Sequence, residues 1–122
     1  MDPKAYFSGH YMAHGLNIQA ICDSDCCFTF LGVNAPGKAS EQVAFERTLI
    51  HKCVMALPMG MLSLVGDAAY QVSHFMLVPF PGSQRNNAGK DAFNFFLLQL
   101  RICIDMAFGL LQTKWFVLNR PL

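Results

Sequence analysis

The chain has 122 residues and a formal net charge of +1, and 53% of its residues are hydrophobic against 14% charged. This composition excludes an intrinsically disordered chain, and the near balance of nine Lys and Arg against eight Asp and Glu excludes a strongly basic nucleic-acid tail. The length suits one domain over residues 1–122, with enough apolar residues for a core.

The first half of the chain predicts a β-hairpin followed by a helix. Residues 16–22 and 27–33 read as strands, and the triplet Asp23–Asp25 between them reads as a turn. Residues 34–40 read as a loop that ends in a helix N-cap at Ser40. One amphipathic helix then follows, with apolar residues at i+4 spacing up to its end at Pro58: Phe45, Leu49, Cys53 and Leu57.

The second half predicts a strand, a long loop and a long helix. Residues 61–65 form a short apolar run whose position after a helix suits a buried parallel strand. Residues 71–89 hold prolines and polar residues and read as a loop around the apolar piece 75–78. A helix is predicted from about Lys90 to Thr113, followed by Trp115–Leu118. This order of elements is typical of an α/β fold.

The segment Ala92–Leu111 is apolar enough to be considered as a membrane span. Arg101 and Asp105 lie near its middle, and each would cost about 2.5–3.5 kcal/mol at the centre of a bilayer. The sequence therefore predicts a buried helix of a soluble protein and no membrane partner. The N-terminal residues do not resemble a signal peptide, because no apolar run follows a basic flank.

Five cysteines, an odd number without a C-x-x-C pair, favour reduced thiols in an intracellular protein. By residue type, a zinc site could be formed by Cys22, Cys26, His51 and Cys53, but their spacing matches no common ligand pattern. Small buried side chains are the better interpretation of these cysteines.

Asp67 follows an apolar strand and Gly66 directly. Ligand-binding side chains gather at the carboxyl ends of strands in open α/β sheets, so this position suits a functional site. An aspartate that caps backbone amides in a turn is the equally weighted alternative.

Asp105 belongs to a polar stripe on the last predicted helix. Asn94, Arg101, Asp105 and Gln112 fall within about 40° of one another at 100° per residue, and their flanks are apolar. An ionised carboxylate on a buried helix needs a cation or several donors. An Arg101–Asp105 pair at i, i+4 is one solution, and a divalent metal shared with Asp67 is another.

Several motifs resemble those of DDE-superfamily endonucleases of the Harbinger transposase type. Gly66-Asp67-Ala68-Ala69-Tyr70 is similar to the family motif G-D-x-x-Y. The stretch Ile104–Leu111, with Trp115 beyond it, is similar to the closing helix V-E-x-x-F-G-x-L…W. The remaining matches run in the same order and extend the resemblance from Phe7 to Trp115: Phe7–His10, His14–Asp23, Ala35–Gly37 with Ser40-Glu41, Pro79-Phe80 and Asn94-Phe95.

The resemblance implies a ribonuclease H-like mixed sheet with helices and two-metal phosphoryl transfer on DNA. It makes Asp67 the second acid of the catalytic triad and puts Asp105 at the position of the third, with Mg²⁺ or Mn²⁺ as the metal. It also implies an intracellular, nuclear protein.

Two departures from the family pattern bear on activity. Asp105 stands where the family usually has Glu, which is about 1.5 Å longer in reach. The first catalytic Asp of the family lies on a strand before the Phe7–His10 segment, and Asp2, Asp23, Asp25 and Glu41 do not fit its place. We therefore expect a partial domain that corresponds to the C-terminal part of the family's catalytic domain.

The resemblance makes the absent strand the first and central one, so its loss would leave two edges without partners. We expect aggregation, a homo-oligomer or a partner that supplies the strand, unless Tyr6–Tyr11 or Phe116–Leu118 fills the gap. DNA binding should be weak, because little positive charge remains between Gly9 and Gly15. His10 and His14 are conceivable metal ligands, but neutral loop residues are the better interpretation. A non-catalytic remnant that acts as an interaction module, or has no function, is the alternative to an enzyme.

Overall fold

The computed structural model describes residues 2–84 and 86–116, which form a mixed α/β fold. This confirms the α/β class that the order of elements predicts. Two single 3₁₀ turns occupy Pro3–Tyr6 and Gly82–Gln84. The strands and helices are, in chain order, β1 (Phe7–Ser8), β2 (Ala13–His14), β3 (Leu16–Cys22), β4 (Phe28–Pro36), α1 (Glu41–Glu46), α2 (Leu49–Met55), β5 (Leu64–Val65), β6 (Met76–Leu77) and α3 (Ala88–Lys114).

The strands pair as three separate two-stranded sheets. The β1–β2 and β3–β4 pairs are antiparallel, and β5–β6 is parallel. The predicted hairpin is thus confirmed, and β5 is parallel as predicted, but its residues are half-buried and not buried. The mixed sheet expected from the resemblance is divided instead, and in the described part of the chain no strand pairs with both β3 and β5. Strand β6 lies in the apolar piece 75–78 that the sequence placed inside a loop.

Strand β4 is longer than its sequence pattern indicates. It continues past Val33 to Pro36, because Asn17 pairs with Ala35 and Leu16 pairs with Pro36 after a register shift. A proline has no N–H for a sheet, so it is tolerated here because β4 is an edge strand of a two-stranded sheet. The predicted loop over 34–40 therefore begins only after Pro36.

The single helix predicted up to Pro58 is two short helices. Ser40 caps α1 as predicted, its side chain accepting a hydrogen bond from the Val43 N–H. The break occurs at Thr48, whose hydroxyl donates to the Phe45 carbonyl (2.6 Å) and accepts from the His51 N–H (3.2 Å). Thr48 is 1% exposed, so this capping hydroxyl is buried and begins a new helix where the apolar spacing alone would continue the old one.

The core lies where α1 and α2 meet the β5–β6 pair. It consists of Phe45, Val54, Phe75 and Met76, with Ile50, Leu64, Tyr70 and Val78 packed against it. Strand β5 is shorter than the predicted strand over 61–65, since the Met61 N–H turns back to the Pro58 carbonyl (3.2 Å).

Helix α3 closely matches its predicted bounds, but the prediction that it is buried is wrong. Of its described residues only Leu97 and Ala107 are buried. One side of the helix contacts β3 and β5, while the opposite side is covered by nothing in the described part of the chain. By length and composition α3 could cross a membrane, and only 11% of its most apolar stretch is buried.

The N-terminal hairpin β1–β2 was not predicted, and backbone hydrogen bonds attach it to the rest of the fold. Gly15 N–H donates to the Tyr6 carbonyl, and Gly37 N–H donates to the Gly15 carbonyl, both at 2.9 Å. Lys38 N–H donates to the Ala5 carbonyl at 3.2 Å. A Cβ atom on Gly37 would lie 2.7 Å from the Gly15 oxygen, so a side chain there is excluded.

The strand pairing of this hairpin tests the expectation that Tyr6–Tyr11 fills a gap in the sheet. Phe7 and Ser8 pair with His14 and Ala13 and with no core strand, so that expectation is wrong. The alternative segment Phe116–Leu118, like the predicted Trp115–Leu118 stretch, lies outside the described residues beyond Phe116.

Candidate functional site

Asp67 lies at the carboxyl end of β5, in a tight turn. Its Oδ1 accepts a hydrogen bond from the Ala69 N–H (2.9 Å), and its carbonyl accepts one from the Tyr70 N–H (3.2 Å). The turn-capping role is therefore present. The side chain is nevertheless 45% exposed, so the carboxylate also remains accessible to a ligand.

Gly66 gives this turn its shape. A Cβ atom at Gly66 would lie 2.9 Å from the Tyr70 ring and 3.0 Å from the Met76 sulfur. The backbone of β5 can therefore approach the Tyr70 ring only because residue 66 has no side chain. The close approach fixes where Asp67 leaves the strand.

Arg101 on α3 faces Asp67. Its Nη2 atom lies 3.9 Å from Asp67 Oδ2, and the two side chains are 27% and 45% exposed. In the described residues Arg101 pairs with Asp67 and not with Asp105, so the predicted i, i+4 pair does not form. At this distance and exposure the pair contributes little to stability, at most about 1 kcal/mol.

Asp105 lies one helical turn after Arg101 on α3, and its side chain is exposed. Asn94 and Arg101, in the first half of the predicted stripe, contact residues outside α3. Asn94 Oδ1 accepts from the Phe80 N–H (2.8 Å) and its Nδ2 donates to the Phe80 carbonyl (3.0 Å), while Arg101 faces Asp67. The N-terminal half of the stripe therefore faces residues 79–82 and the end of β5.

A cleft of about 370 Å³ runs beside this stripe. It is partly open to solvent. Its lining residues are Pro79, Phe80, Gly82, Asp91, Asn94, Phe95, Leu97, Leu98 and Arg101. Arg101 therefore both lines the cleft and faces Asp67.

A buried polar network behind Asp67 was missed by sequence reasoning. The Tyr70 hydroxyl donates to Gln19 Oε1 (2.8 Å), and Gln19 Nε2 donates to Glu41 Oε2 and Asn17 Oδ1, both at 2.7 Å. Gln19 is 4% exposed and Asn17 9%. The alternating pattern of β3 was recognised, but nothing in it shows that the polar residues face inward.

The network changes the pKa of Tyr70. Burial, and then the negative charges of Glu41 and Asp67, raise the pKa of the Tyr70 hydroxyl from 10.0 to about 12. The phenol therefore stays protonated at neutral pH and donates to Gln19 throughout the physiological range.

The zinc set considered from the sequence does not come together. Cys22 and Cys26 lie at the β3–β4 turn, whereas His51 packs edge-on against Phe45 (5.1 Å) and Cys53 is exposed on α2. No group of three or more His, Cys, Asp or Glu side chains in residues 2–84 and 86–116 is arranged to hold a metal. His10 and His14 form ring contacts with Tyr11 and Phe7 and are not ligands of such a group.

Comparison with protein families gives a match over nearly the whole chain. The family model described as DDE superfamily endonuclease matches residues 2–122. Searches of curated proteins and of solved structures found no match.

Proposed function

Because the chain belongs to the DDE superfamily of endonucleases, we propose that it is a metal-dependent nuclease or transposase-like domain acting on DNA. In this proposal Asp67 and Asp105 are the acids that bind Mg²⁺ or Mn²⁺. The observation that supports it most is the position of Asp67. Its half-exposed carboxylate follows β5 directly and faces the helix that carries Asp105.

The donors in this region suit a hard divalent cation. Both candidate ligands are accessible carboxylates, and Mg²⁺ and Mn²⁺ prefer oxygen ligands and retain water at positions that the protein leaves open. Bound there, the metal would supply Lewis-acid stabilisation of charge on a phosphodiester. The chain itself contributes the turn at Gly66 and Ala69 that holds Asp67, and the Arg101 guanidinium beside it.

We propose that this chain alone has weak activity. Asp105 reaches about 1.5 Å less far than the Glu usual in the family, and sites tolerate only about 0.5 Å of misplacement. Two carboxylates also hold a divalent ion less firmly than three. DNA affinity is expected to be weak as well, because a chain of net charge +1 neutralises few phosphates.

A plasmid-nicking assay with Mg²⁺ or Mn²⁺ tests the enzymatic proposal. We expect slow nicking by the natural sequence and none by Asp67→Ala. Asp25→Ala is the matched control, because Asp25 is an exposed aspartate in the β3–β4 turn and should not be needed. No nicking at any metal concentration, or equal loss in both variants, would refute the proposal.

Metal binding can be tested without activity. Titration with Mn²⁺ should broaden the NMR signals of residues around Asp67 and Asp105 first. Broadening centred on Asp23 or His10 would show that the site is wrongly assigned.

The second candidate function is a non-catalytic interaction module, and the exposed apolar faces favour it. The outward side of the β3–β4 sheet presents Leu16, Ile18, Leu31 and Val33, each about half exposed. Among the described residues β3 and β5 each also have one edge without a strand partner. We propose that a second copy or a partner chain adds a strand at one of these edges.

We further propose a nuclear, non-membrane location. A helix placed in a bilayer could not keep the contacts of α3, which include Asn94 with Phe80, Arg101 with Asp67 and Phe108 with Phe28. Arg101 and Asp105 near its middle would add to the cost of insertion. A protein that acts on DNA must be in the compartment that contains the DNA, which favours the nucleus.

A further inference from the structure

Three cysteine side chains lie together where the β3–β4 turn meets α3. Cys22 ends β3, Cys26 lies in the turn, and Cys103 comes from the middle of α3. The Cys103 thiol donates a hydrogen bond to the Ser24 carbonyl at 3.8 Å, and Ser24 lies two residues before Cys26 in the same turn. Two cysteines that are distant in the sequence therefore lie at one turn.

The turn holds Cys26 in a fixed position. Asp23 Oδ1 accepts from the N–H groups of Asp25 and Cys27, both at 3.0 Å, and the Asp23 carbonyl accepts from the Cys26 N–H at 3.2 Å. Cys26 itself has φ of 61°, a left-handed conformation that is rare outside glycine and asparagine. These bonds keep the turn closed and direct Cys26 toward the helix.

The helix side is fixed as well. Phe108 lies just over one turn after Cys103 and packs edge-on against Phe28, the first residue of β4, with ring centroids 5.2 Å apart. The ring contact holds α3 against the same end of the hairpin that carries Cys26. Cys26 and Cys103 therefore both lie on segments that these contacts hold in place.

We propose that Cys26 and Cys103 are a redox pair that closes to an intramolecular disulfide when the protein meets a low-molecular-weight disulfide such as oxidised glutathione. The Cys26 thiolate attacks the small disulfide, forms a mixed disulfide and releases one small thiol. The Cys103 thiolate then attacks the Cys26 sulfur and releases the second. Two protein thiols are oxidised, one small disulfide is reduced to two thiols, and the two protein protons pass to the released thiolates.

The neighbouring cysteines are less suitable partners. Cys27 is exposed, and its thiol donates to the Asp25 carbonyl at 3.7 Å. Desolvation raises the pKa of both the Cys22 and the Cys26 thiols, so thiolate formation does not distinguish them. Cys26 is preferred because it lies in the turn whose Ser24 carbonyl accepts the hydrogen bond from Cys103, whereas Cys22 is the last residue of β3. A shared metal is an unsuitable alternative, since these thiols do not form a metal-binding group in the described residues.

The bond would have a mechanical effect on the fold. Cys103 lies between Arg101 and Asp105 on α3, so the disulfide would fix the helix that carries both residues to the β3–β4 turn. In a reducing compartment the pair stays open, and oxidative conditions close it. This inference stands whether or not the domain cleaves DNA.

Disulfide mapping of the full natural chain tests the proposal. The folded, reduced protein is treated with oxidised glutathione, free thiols are alkylated, and digestion without reductant is followed by mass spectrometry. We expect the Cys26–Cys103 peptide as the main cross-link, and at least tenfold less of it when oxidation is done in guanidinium chloride. We also expect oxidation to raise the melting temperature by about 5–10 °C, reversibly with dithiothreitol.

Variants supply the controls. Cys103→Ser should abolish both the cross-link and the thermal shift, whereas Cys27→Ser and Cys53→Ser should retain them. A main cross-link from Cys22, only intermolecular disulfides, or equal cross-linking of folded and unfolded chains would overturn the proposal. The mapping on the natural sequence decides even if a variant fails to fold.

Discussion

The hydroxyl of Tyr70 donates a 2.8 Å hydrogen bond to Oε1 of Gln19, so the turn after β5 is joined to β3 although these two strands do not pair. The Gln19 side chain also donates a hydrogen bond to the Glu41 carboxylate at the start of α1. One buried amide thus links three elements around the base of the Asp67 turn.

Replacing Tyr70 by Phe should lower the free energy of unfolding by about 1–2 kcal/mol, because the buried Gln19 oxygen then loses its donor. Urea unfolding measures the change. Tyr11→Phe is the matched control, because Tyr11 is 79% exposed, and it should leave the midpoint unchanged. Equal midpoints for both variants would contradict a structural role for the network.

The same residue predicts a loss of stability at alkaline pH. The pKa of Tyr70 is about 12 in the fold against 10.0 ordinarily, so its contribution is complete below pH 10 and disappears as the pH rises from 10 through 12. For a partly exposed group we expect about 1–2 kcal/mol. The measurement is the difference between the natural protein and Tyr70→Phe in metal-free buffer, which should shrink over this range. A constant difference would contradict the shift.

Asn94 should be more important to stability than its polar character on an apolar helix suggests. Asn94→Ala removes both hydrogen bonds to the Phe80 backbone and should destabilise the fold by about 1–3 kcal/mol. Gln99→Ala, an exposed amide on the same helix, is the control and should change stability by less than about 0.5 kcal/mol. Thermal unfolding of the two variants side by side gives the comparison.

If Asp67 binds a metal as proposed, the Arg101 guanidinium beside it should compete with that metal. Removing its charge in Arg101→Gln should strengthen Mn²⁺ binding about fivefold, since a unit charge near 4 Å contributes about 1 kcal/mol in a solvated site. Calorimetric titration measures the affinity, and Lys114→Gln at the far end of α3 should leave it unchanged. Weaker binding in Arg101→Gln would mean that Arg101 instead holds Asp67 in its binding position.

The outward face of the β3–β4 sheet should control association. Ile18 and Val33 are paired across the two strands and are 47% and 50% exposed, so we expect the natural chain to be oligomeric or aggregation-prone. The double change Ile18→Thr with Val33→Thr should shift its elution toward a monomer. Val72→Thr, at an exposed loop residue, should not. A sharp monomer peak for the natural chain, with slow amide exchange across residues 16–33 and 61–66, would contradict this prediction.

Local signals predicted much of the fold. The β3–β4 hairpin, the Ser40 cap and the extent of α3 follow from turn residues, capping chemistry and periodicity, which act over a few residues. These local signals could not predict the break between α1 and α2 at Thr48, because a threonine within a helical pattern is equally consistent with an uninterrupted helix.

Burial was predicted less well, because it depends on what packs against each face. The pattern of β3 alternates as expected, yet Gln19 is 4% exposed while Ile18 is 47% exposed, the reverse of the usual orientation. Only the contacts of Gln19 with Tyr70 and Glu41 explain this inversion. Similarly, Asp67 was identified from its place after a strand, but its pairing with Arg101 required the three-dimensional position of α3.

The attachment of the N-terminal hairpin has a consequence for how the chain can vary. Two hydrogen bonds between backbone groups, from Gly37 and Lys38, hold it to the segment after β4, so residues 9–14 can accept many substitutions without detaching it. Gly37, in the segment to which the hairpin is bonded, does not share this tolerance, because any other residue there would collide with the Gly15 oxygen. Histidine, methionine or a basic residue can therefore occupy this loop while the loop stays in place, and mutational drift can alter its surface chemistry independently of folding.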